Sequence, residues 1–257
     1  RDTLFGGRLP APNLKTLAGL TNYVEEHGCD IGIATDGDAD RLGVIDDKAE
    51  FLHPNKILVL LYYYLMRYRG WRGAAVRNLA TTHLLDRIAE DFGETCYEVP
   101  VGFKYVSAKM VETGAIIGGE SSGGLTVRGH IQGKDGIYAA ALLVEAIAKT
   151  GRRLSALWDE ITQKYGAAEM AEHDFHFSSA ERTRIFKLLM EDKQLPEFPC
   201  EIAKVSYMDG CKVYFKNGGW VIARFSGTEP LLRVFCEMDT MENAEKIAKI
   251  LTEFLSL

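Results

Sequence analysis

The chain lacks an excess of positive charge and a long hydrophobic run, and both absences exclude classes of function. Its 257 residues hold 30 Lys and Arg against 36 Asp and Glu, which gives a net charge of -6. An acidic protein of this kind is not attracted to nucleic acid or to anionic lipid, so we expect neither partner. The longest apolar run, residues 57–66, has about half the length of a membrane span, and no signal peptide opens the chain. We therefore expect a cytoplasmic protein without a membrane partner.

Cysteine is also scarce, and low-complexity sequence is missing. The five cysteines are scattered and include no Cys-x-x-Cys pair, which predicts reduced core residues rather than a disulfide framework. Hydrophobic residues make up 47% of the chain and charged residues 26%, as in ordinary folded proteins. A chain of this length has room for about two domains.

Three carboxylates at alternate positions form the first candidate site. Residues 36–41 read DGDADR and lie between two short runs rich in strand formers, 30–35 and 42–46. Like charges this close repel one another unless a counter-charge lies among them. Small residues between the acids leave the backbone free to curl, and oxygen-only ligands favour Mg²⁺, Mn²⁺ or Ca²⁺. The predicted metal ligands are Asp36, Asp38 and Asp40, and Arg41 would reach a phosphate held by the same cation.

The acidic loop has three alternatives to a catalytic metal site. An EF-hand loop needs Gly at its sixth position, Glu at its twelfth and helices on both sides. The chain has Arg41 and Asp47 at those positions, between strand-like flanks, so the EF-hand fails. A plain acidic surface turn and a structural Ca²⁺ site both stay open as alternatives.

A glycine-flanked polar loop forms the second candidate site. Residues 119–124 read GESSGG, so Glu120 and Ser122 offer a carboxylate and a hydroxyl separated by one residue. Such a pair is suited to hydrogen bonds with neighbouring hydroxyls of a sugar, although a plain turn is the alternative. Further upstream, Lys104 lies in the first turn of a predicted helix, where the helix dipole disfavours a cation. This misplaced charge indicates a ligand anion.

The third candidate site is a loop between two predicted strands. Residues 224–233 read RFSGTEPLLR and combine guanidinium, hydroxyl and glycine N–H groups, which resembles a phosphate-binding nest. The residues predicted to bind the ligand are Arg224, Ser226, Gly227, Thr228 and Arg233. The Gly-Lys-Ser/Thr ending of a Walker loop is absent, and the alternative is a hydroxyl-rich hairpin loop with a surface arginine.

The histidines are weaker candidates. His53 and His83 have no acidic neighbour in the sequence to orient them, so we interpret both as structural. His130 follows Arg128 and stays open as a secondary phosphate or sugar contact.

Hydrophobic periodicity predicts an α/β chain whose pattern changes after Gly166. Before that residue helices alternate with short strands, which is typical of a parallel sheet. After it, hairpin turns such as Asn217–Gly218 join several strands. The predicted helices are 13–27, 56–69, 82–92, 102–112, 135–149, 154–164, 179–190 and 241–254. The predicted strands are 30–35, 42–46, 74–77, 95–99, 115–118, 125–128, 173–177, 203–208, 212–216, 220–225 and 231–237.

The three loops, in this order, resemble the α-D-phosphohexomutase superfamily and most closely its phosphoglucomutase/phosphomannomutase branch. The segments that carry the resemblance are 35–41 (TDGDADR), 102–104 (GFK), 119–124 (GESSGG) and 224–230 (RFSGTEP). The resemblance covers essentially the whole chain. It implies a mixed three-layer α/β domain like the family's third at 52–166. Part of a similar second domain would precede it at 1–51, and a smaller α+β fourth domain with an antiparallel sheet would follow at 167–257.

The same resemblance implies a role for each candidate residue. Asp36, Asp38 and Asp40 would hold Mg²⁺, Glu120 and Ser122 would bind the sugar hydroxyls, and the loop 224–228 with Arg233 would hold the phosphate that is not transferred. Arg41 and Lys104 would be the catalytic residues, Arg41 at the transferred phosphoryl group and Lys104 in the cleft. Members of the superfamily move a phosphate between C1 and C6 of a hexose through an enzyme phosphoserine and a bisphosphorylated sugar.

The chain departs from the family pattern at the nucleophile. The phosphoserine of the family lies in a Ser-His-Asn segment, and no Ser-His dipeptide occurs in this sequence. We therefore expect the C-terminal portion of a longer mutase, inactive alone, whose N-terminal domain would be its partner together with a phosphorylated hexose. Gly124 stands where some members carry His, so glucose and mannose both stay open as substrates. A phosphosugar-binding module without catalysis and a phosphoglucosamine mutase are the alternatives.

Overall fold

The computed structural model of the chain describes residues 2–3, 5–7, 9–227 and 229–257. The chain divides into two units, Arg1–Tyr165 and Gly166–Leu257. The first unit contains the acidic loop and the loop 119–124, and the second contains the loop 224–233. Among the described residues, none of the helices combines the length and the apolar character that crossing a membrane requires.

A small antiparallel sheet lies at the start of the first unit. Helix α1 (Ala18–His27) is followed by strands β1 (Gly32–Thr35), β2 (Leu42–Ile45) and β3 (Phe51–Leu52), which pair in that order. Thr35 pairs with Leu42, so residues 36–41 form the tip of the β1–β2 hairpin. Strand β2 is buried along its whole length. Helix α1 begins later than predicted because the Asn13 side chain accepts hydrogen bonds from two following N–H groups and holds residues 13–17 in turns.

A mixed four-stranded sheet forms the rest of the first unit. Its elements are α2 (Pro54–Arg67), β4 (Ala75–Asn78), α3 (Leu84–Asp91), β5 (Cys96–Val99), α4 (Phe103–Thr113), β6 (Ile117–Gly119), β7 (Leu125–Val127), α5 (Gly136–Thr150) and α6 (Leu154–Tyr165). The strand order is β5-β4-β6-β7, with the first three parallel. Strand β7 runs antiparallel to β6, because the connection 120–124 is too short for the crossover that a parallel neighbour needs.

Two adjacent glycines show that helices cover both faces of this sheet. A Cβ on Gly118 would meet Val106 and Met110 of α4, whereas a Cβ on Gly119 would meet Leu58 of α2. Successive residues of a strand point to opposite faces, so α4 and α2 lie on opposite sides of β6. The predicted three-layer α/β architecture is confirmed.

The second unit is a five-stranded antiparallel sheet with helices. Its strands are β8 (Glu169–His176), β9 (Ile202–Ser206), β10 (Cys211–Phe215), β11 (Trp220–Phe225) and β12 (Leu231–Met238), in the order β8-β12-β11-β10-β9. Helix α7 (Ser179–Phe186) continues into a π-helical turn, Lys187–Glu191, and α8 (Met241–Phe254) ends the fold. The core packs Ala244, Ile247 and Leu251 of α8 against the sheet. The predicted α+β class is confirmed, and β8 is longer at its start than the prediction.

Candidate active site

The acidic loop is a sharp turn at the tip of the β1–β2 hairpin. Asp36, Asp38 and Asp40 each present a carboxylate oxygen within 4.8 Å of the other two. Asp36 is buried and Asp38 is exposed. Ala39 adopts a φ of 60°, a left-handed conformation that few residues other than glycine take, and its N–H donates to the Asp36 carbonyl at 3.2 Å. The turn therefore brings the three carboxylates predicted as metal ligands close together.

Two cations lie among these carboxylates. The Arg41 backbone N–H and Nε donate to the two oxygens of Asp36 at 3.1 and 2.6 Å. Burial acts to raise the pKa of Asp36, but the hydrogen bonds from Arg41 outweigh it, and the pKa is lowered. The Lys134 ammonium forms an ion pair with Asp40. The donor set is all oxygen and carries more negative charge than these two cations offset, so it fits a hard divalent cation such as Mg²⁺.

Three separate segments of the first unit meet at this loop. Arg41 forms an isolated antiparallel bridge with Gly124, at the end of the loop 119–124. The Gly136 N–H donates to the Ala39 carbonyl at 2.9 Å. The stem of Lys134 fills the space beside Gly124, so a side chain at position 124 would collide with it. The acidic loop, the Glu120 loop and the segment 134–136 at the start of α5 thus lie in contact with one another.

Glu120 lies at the carboxyl edge of the parallel strands. It follows β6, and its Oε1 accepts from Asn78 Nδ2 at 2.9 Å and from the Gly102 N–H at 3.0 Å. Asn78 ends β4, and Gly102 precedes α4. Ser122 is exposed at the tip of the same loop. Ligands of open α/β sheets bind at this edge. The side chains of Glu120 and Ser122 are therefore in a position to contact a bound ligand.

Lys104 lies in the first turn of α4, two residues after Gly102. Its side chain is exposed, and its ammonium lies 4.9 Å from the centroid of the Tyr105 ring. Within the part of the chain that the structure describes, no ion pair of Lys104 is seen. An unpaired cation at the positive end of a helix is a favourable contact for an anion.

The three histidines considered as candidates, His53, His83 and His130, differ in their surroundings. His130 Nε2 lies 2.7 Å from Asp135 Oδ2, and its ring stacks on Tyr138 with 3.9 Å between centroids. His53 Nδ1 accepts from the Asn55 N–H at the start of α2, which is a capping role. His83 Nε2 is 3.7 Å from Glu98 Oε2, an acidic neighbour that the sequence did not reveal.

The second unit holds a pair of arginines beside the loop 226–230. Arg224 and Arg233 are directly opposite each other on β11 and β12, so both guanidiniums leave the same face of the sheet. Arg224 Nε donates to Asp209 Oδ2 at 2.8 Å, and Arg233 Nη2 donates to Glu229 Oε2 at 3.3 Å. Asp174 Oδ1 also lies 3.6 Å from Arg233 Nε, so carboxylates of the same unit offset the repulsion between the two opposed arginines.

The other residues predicted for this loop are less enclosed. The Ser226 N–H donates to the Leu231 carbonyl at 2.8 Å, and Gly227 is exposed, with open space around its Cα. Thr228 lies outside the described residues.

Two residues at the site were missed by sequence reasoning. Asn78 and Lys134 are ordinary polar residues in their local sequence and become partners of Glu120 and Asp40 only through the fold. A weak signal existed for Asn78, which follows a predicted buried strand at the edge where ligands bind.

Family profiles match nearly the whole chain. Domain II of phosphoglucomutase/phosphomannomutase matches residues 1–49, the alpha/beta/alpha domain III matches 53–165, and the C-terminal domain matches 186–254. The chain belongs to the phosphoglucomutase/phosphomannomutase family.

Two relatives and one solved structure illustrate the similarity. A phosphoglucomutase/phosphomannomutase of Thermococcus kodakarensis is 34% identical over 97% of this chain, which covers 52% of that protein. A probable phosphoglucosamine mutase of Methanosarcina barkeri is also 34% identical, over 96% of this chain and 54% of its own length. Among solved structures, a Thermus thermophilus protein assigned as a phosphomannomutase matches 99% of this chain and 52% of its own, with a TM-score of 0.81 and 30% identity. The chain spans about half the length of the curated relatives it matches.

Proposed function

We propose that this chain is the metal-, sugar- and phosphate-binding portion of a phosphohexomutase that interconverts hexose 1-phosphate and hexose 6-phosphate. The observation that carries the proposal is the bridge between Arg41 and Gly124, because it holds the acidic loop against the Glu120 loop within one unit. Domains at 1–51, 52–166 and 167–257 would contribute the acidic loop, the sugar loop and the arginine pair in turn. The hexose would be glucose, mannose or both.

The acidic loop would hold Mg²⁺ through Asp36, Asp38 and Asp40. A bound magnesium ion supplies charge neutralisation for a phosphoryl group during its transfer. Arg41 anchors the loop by its bonds to Asp36, and its remaining N–H groups would bind a phosphate oxygen. Arg41 and Lys104 are the side chains that we propose as catalytic, both through positioning and neutralising the phosphoryl group.

Other polar groups in each unit would bind and orient the substrate. Glu120 and Ser122 would accept and donate hydrogen bonds to neighbouring sugar hydroxyls. In the second unit, Arg224, Arg233, Ser226 and Gly227, with Thr228, would hold the phosphate that is not transferred. The arginine pair supports this assignment because two guanidiniums on one face of the sheet can both donate to one oxyanion.

A phosphoglucosamine mutase is the second candidate function. It is favoured by relatives named as probable phosphoglucosamine mutases, such as the Methanosarcina barkeri protein at 34% identity. The two candidates differ in the group at C2 of the sugar, a hydroxyl or an amine. A carboxylate such as Glu120 would accept from either group, so ligand competition has to separate them.

Binding of the phosphosugar is the first test. We expect the purified chain with Mg²⁺ to bind glucose 1-phosphate or mannose 1-phosphate in calorimetry, and Glu120→Gln to weaken that binding about tenfold. Glu112→Gln is the matched control, since Glu112 pairs with Lys109 on the exposed side of α4. Stronger binding of glucosamine 1-phosphate than of the other two sugars would favour the second candidate. Failure to bind any of the three would contradict the proposal.

Turnover is the second test. No Ser-His segment is present in the sequence to carry the phosphoserine, so we expect no conversion of glucose 1-phosphate to glucose 6-phosphate by this chain alone. A coupled dehydrogenase assay on the purified chain measures this directly. Steady conversion that increases with the concentration of the chain would show that the nucleophile lies within these residues.

A further inference from the structure

Two buried polar residues of the first unit, Asn78 and Thr81, lie directly behind the proposed sugar site. Asn78 is 2% exposed and Thr81 is fully buried. Asn78 is the last residue of β4, which lies between β5 and β6 in the sheet. A buried polar side chain lowers the stability of the fold unless it forms hydrogen bonds. The hydrogen-bond partners of Asn78 and Thr81 therefore indicate what the two residues do.

The partners form a continuous chain of hydrogen bonds to the Glu120 loop. The Ser121 N–H donates to Thr81 Oγ1 at 3.1 Å, and Thr81 Oγ1 donates to Asn78 Oδ1 at 2.9 Å. Asn78 Nδ2 then donates to Glu120 Oε1 at 2.9 Å. The Ala80 N–H also donates to Asn78 Oδ1, at 2.9 Å, and this contact decides which end of the amide is the oxygen.

Among the residues that the structure describes, those that hold Glu120 bind one oxygen of its carboxylate. Oε1 accepts from Asn78 and also from the Gly102 N–H at 3.0 Å. Gly102 has a φ of 131°, a conformation that a side chain would strain, so this donor depends on glycine. Within the described part of the chain, Oε2 receives no hydrogen bond. A carboxylate held in this way presents Oε2 to a ligand in one orientation.

We propose that Asn78 and Thr81 are positioning residues for sugar recognition. They hold Glu120 through Oε1 so that Oε2 meets the sugar hydroxyl, while the same Oε1 joins the loop 119–124 to the Gly102 turn that precedes Lys104. Neither residue touches the ligand. The inference rests on the proposed function, since it assigns Glu120 to the sugar. Its physical basis is that a recognition group contributes fully only when packing and hydrogen bonds already fix its orientation.

A pair of adjacent threonines provides the test. Thr81→Val removes the hydroxyl that links Ser121 to Asn78, while Thr82→Val removes an equally buried hydroxyl that accepts from the Leu84 N–H at the start of α3. We expect Thr81→Val to bind glucose 1-phosphate about tenfold more weakly than wild type, and Thr82→Val to bind it as wild type does. Thr81→Ser keeps the hydroxyl and should restore the affinity. Calorimetry in the presence of Mg²⁺ measures all four proteins.

A second readout does not depend on the ligand. Hydrogen exchange at the Ser121 amide should be faster in Thr81→Val than in Thr82→Val, because only the first variant loses the acceptor of that N–H. Asn78→Asp has the same shape but sets a carboxylate against Glu120 Oε1, and we expect it to lose binding at least as strongly as Thr81→Val.

The outcomes separate this inference from the proposed function. If wild type binds glucose 1-phosphate and the two threonine variants bind it equally well, the positioning role is wrong and the proposed function stands. If Thr81→Val does not fold, Asn78→Asp serves as the test variant. A folded Asn78→Asp protein that binds glucose 1-phosphate as tightly as wild type would then overturn the inference. If wild type binds none of the phosphosugars, the proposed function fails and this inference fails with it.

Discussion

Two of the three carboxylates in the proposed metal site already pair with a cation of the protein. Asp36 is held by Arg41, its neighbour in the hairpin, whereas Asp40 is held by Lys134 from a distant segment. This ion pair places a positive charge on one of the three proposed metal ligands. We therefore expect the Lys134 contact to compete with metal binding.

Replacing Lys134 by methionine should strengthen metal binding. We expect Lys134→Met to bind Mg²⁺ about fivefold more tightly than wild type, since a competing positive charge a few ångströms away is removed. Titration calorimetry with MgCl₂ measures the change. Lys48→Met is the control, because Lys48 is an exposed lysine of the same unit that lies 3.8 Å from Asp159. Equal affinities of the two variants would show that Lys134 does not compete with the metal.

The arginine pair of the second unit leads to a prediction about phosphate binding. Arg224→Ala should weaken glucose 6-phosphate binding by about 1.5 to 3 kcal/mol, the scale of one set of charge-assisted hydrogen bonds. Lys216→Ala is the matched control, since it removes one exposed cation from the turn that joins β10 and β11. A dissociation constant for Arg224→Ala that equals the control value would contradict the phosphate cradle.

Secondary-structure elements bring the polar groups to one edge of the sheet in the first unit. Strands β4, β5 and β6 are parallel, so the segments that follow them emerge on the same side. Asn78, Gly102 and Glu120 come from these three segments. Helix α5 adds a fourth segment, because its N-cap residue Asp135 directly follows Lys134.

The N-cap of α5 should stabilise the unit in a pH-dependent way. Asp135 accepts from the Tyr138 N–H, and this bond, with a smaller effect of His130, lowers the pKa of Asp135 below 3.8. Its ionised form therefore stabilises the folded state above that pH, and the contribution is lost as the pH falls below it. We expect Asp135→Ala to cost about 1 kcal/mol of unfolding free energy at neutral pH.

Asparagine at the same position separates the cap from the charge. Asp135→Asn keeps a capping oxygen but cannot titrate, so its difference from wild type should shrink as the pH falls below 3.8. Urea unfolding at neutral and acidic pH measures both variants. Thr240→Ala removes an uncharged N-cap from α8, and its cost should be the same at both pH values. A pH-independent difference for Asp135→Asn would show that the charge contributes nothing.

At the scale of the whole molecule, each unit has its own core. The core of the second unit is built entirely from residues between Ala171 and Leu257. In the first unit, separate clusters surround α1 with β2 and α4 with β4. A change in one core should therefore leave the site of the other unit intact.

A core truncation in the second unit tests this independence. Leu232 is fully buried, and Leu232→Ala should destabilise the second unit by about 2 to 5 kcal/mol. Hydrogen exchange measured by mass spectrometry should become faster in residues 166–257, and titration calorimetry should give an unchanged Mg²⁺ affinity. Leu61→Ala, in the buried helix α2, should instead speed exchange in the first unit and leave exchange in the second unit unchanged. Loss of Mg²⁺ binding in folded Leu232→Ala protein would show that the units are coupled.

Much of the fold follows from local sequence. The apolar stretch before Arg67 predicted the buried helix α2, and the Asn217–Gly218 turn predicted the β10–β11 hairpin, because periodicity and turn chemistry act over a few residues. Predicted boundaries were wrong where a side chain competes for the backbone, as Asn13 does before α1. The antiparallel direction of β7 depended on loop length and was not foreseen.

The sequence by itself determined the chemistry of this protein: a run of alternating carboxylates, a glycine-flanked glutamate loop and an arginine loop, each readable because its members are neighbours in the chain. Only the tertiary structure decided which groups surround them. Asn78 under Glu120 and Lys134 on Asp40 come from distant segments, and strand pairing and helix packing place them there. The physical reason is that a hydrogen bond or ion pair forms between groups a few ångströms apart, whatever their separation along the chain.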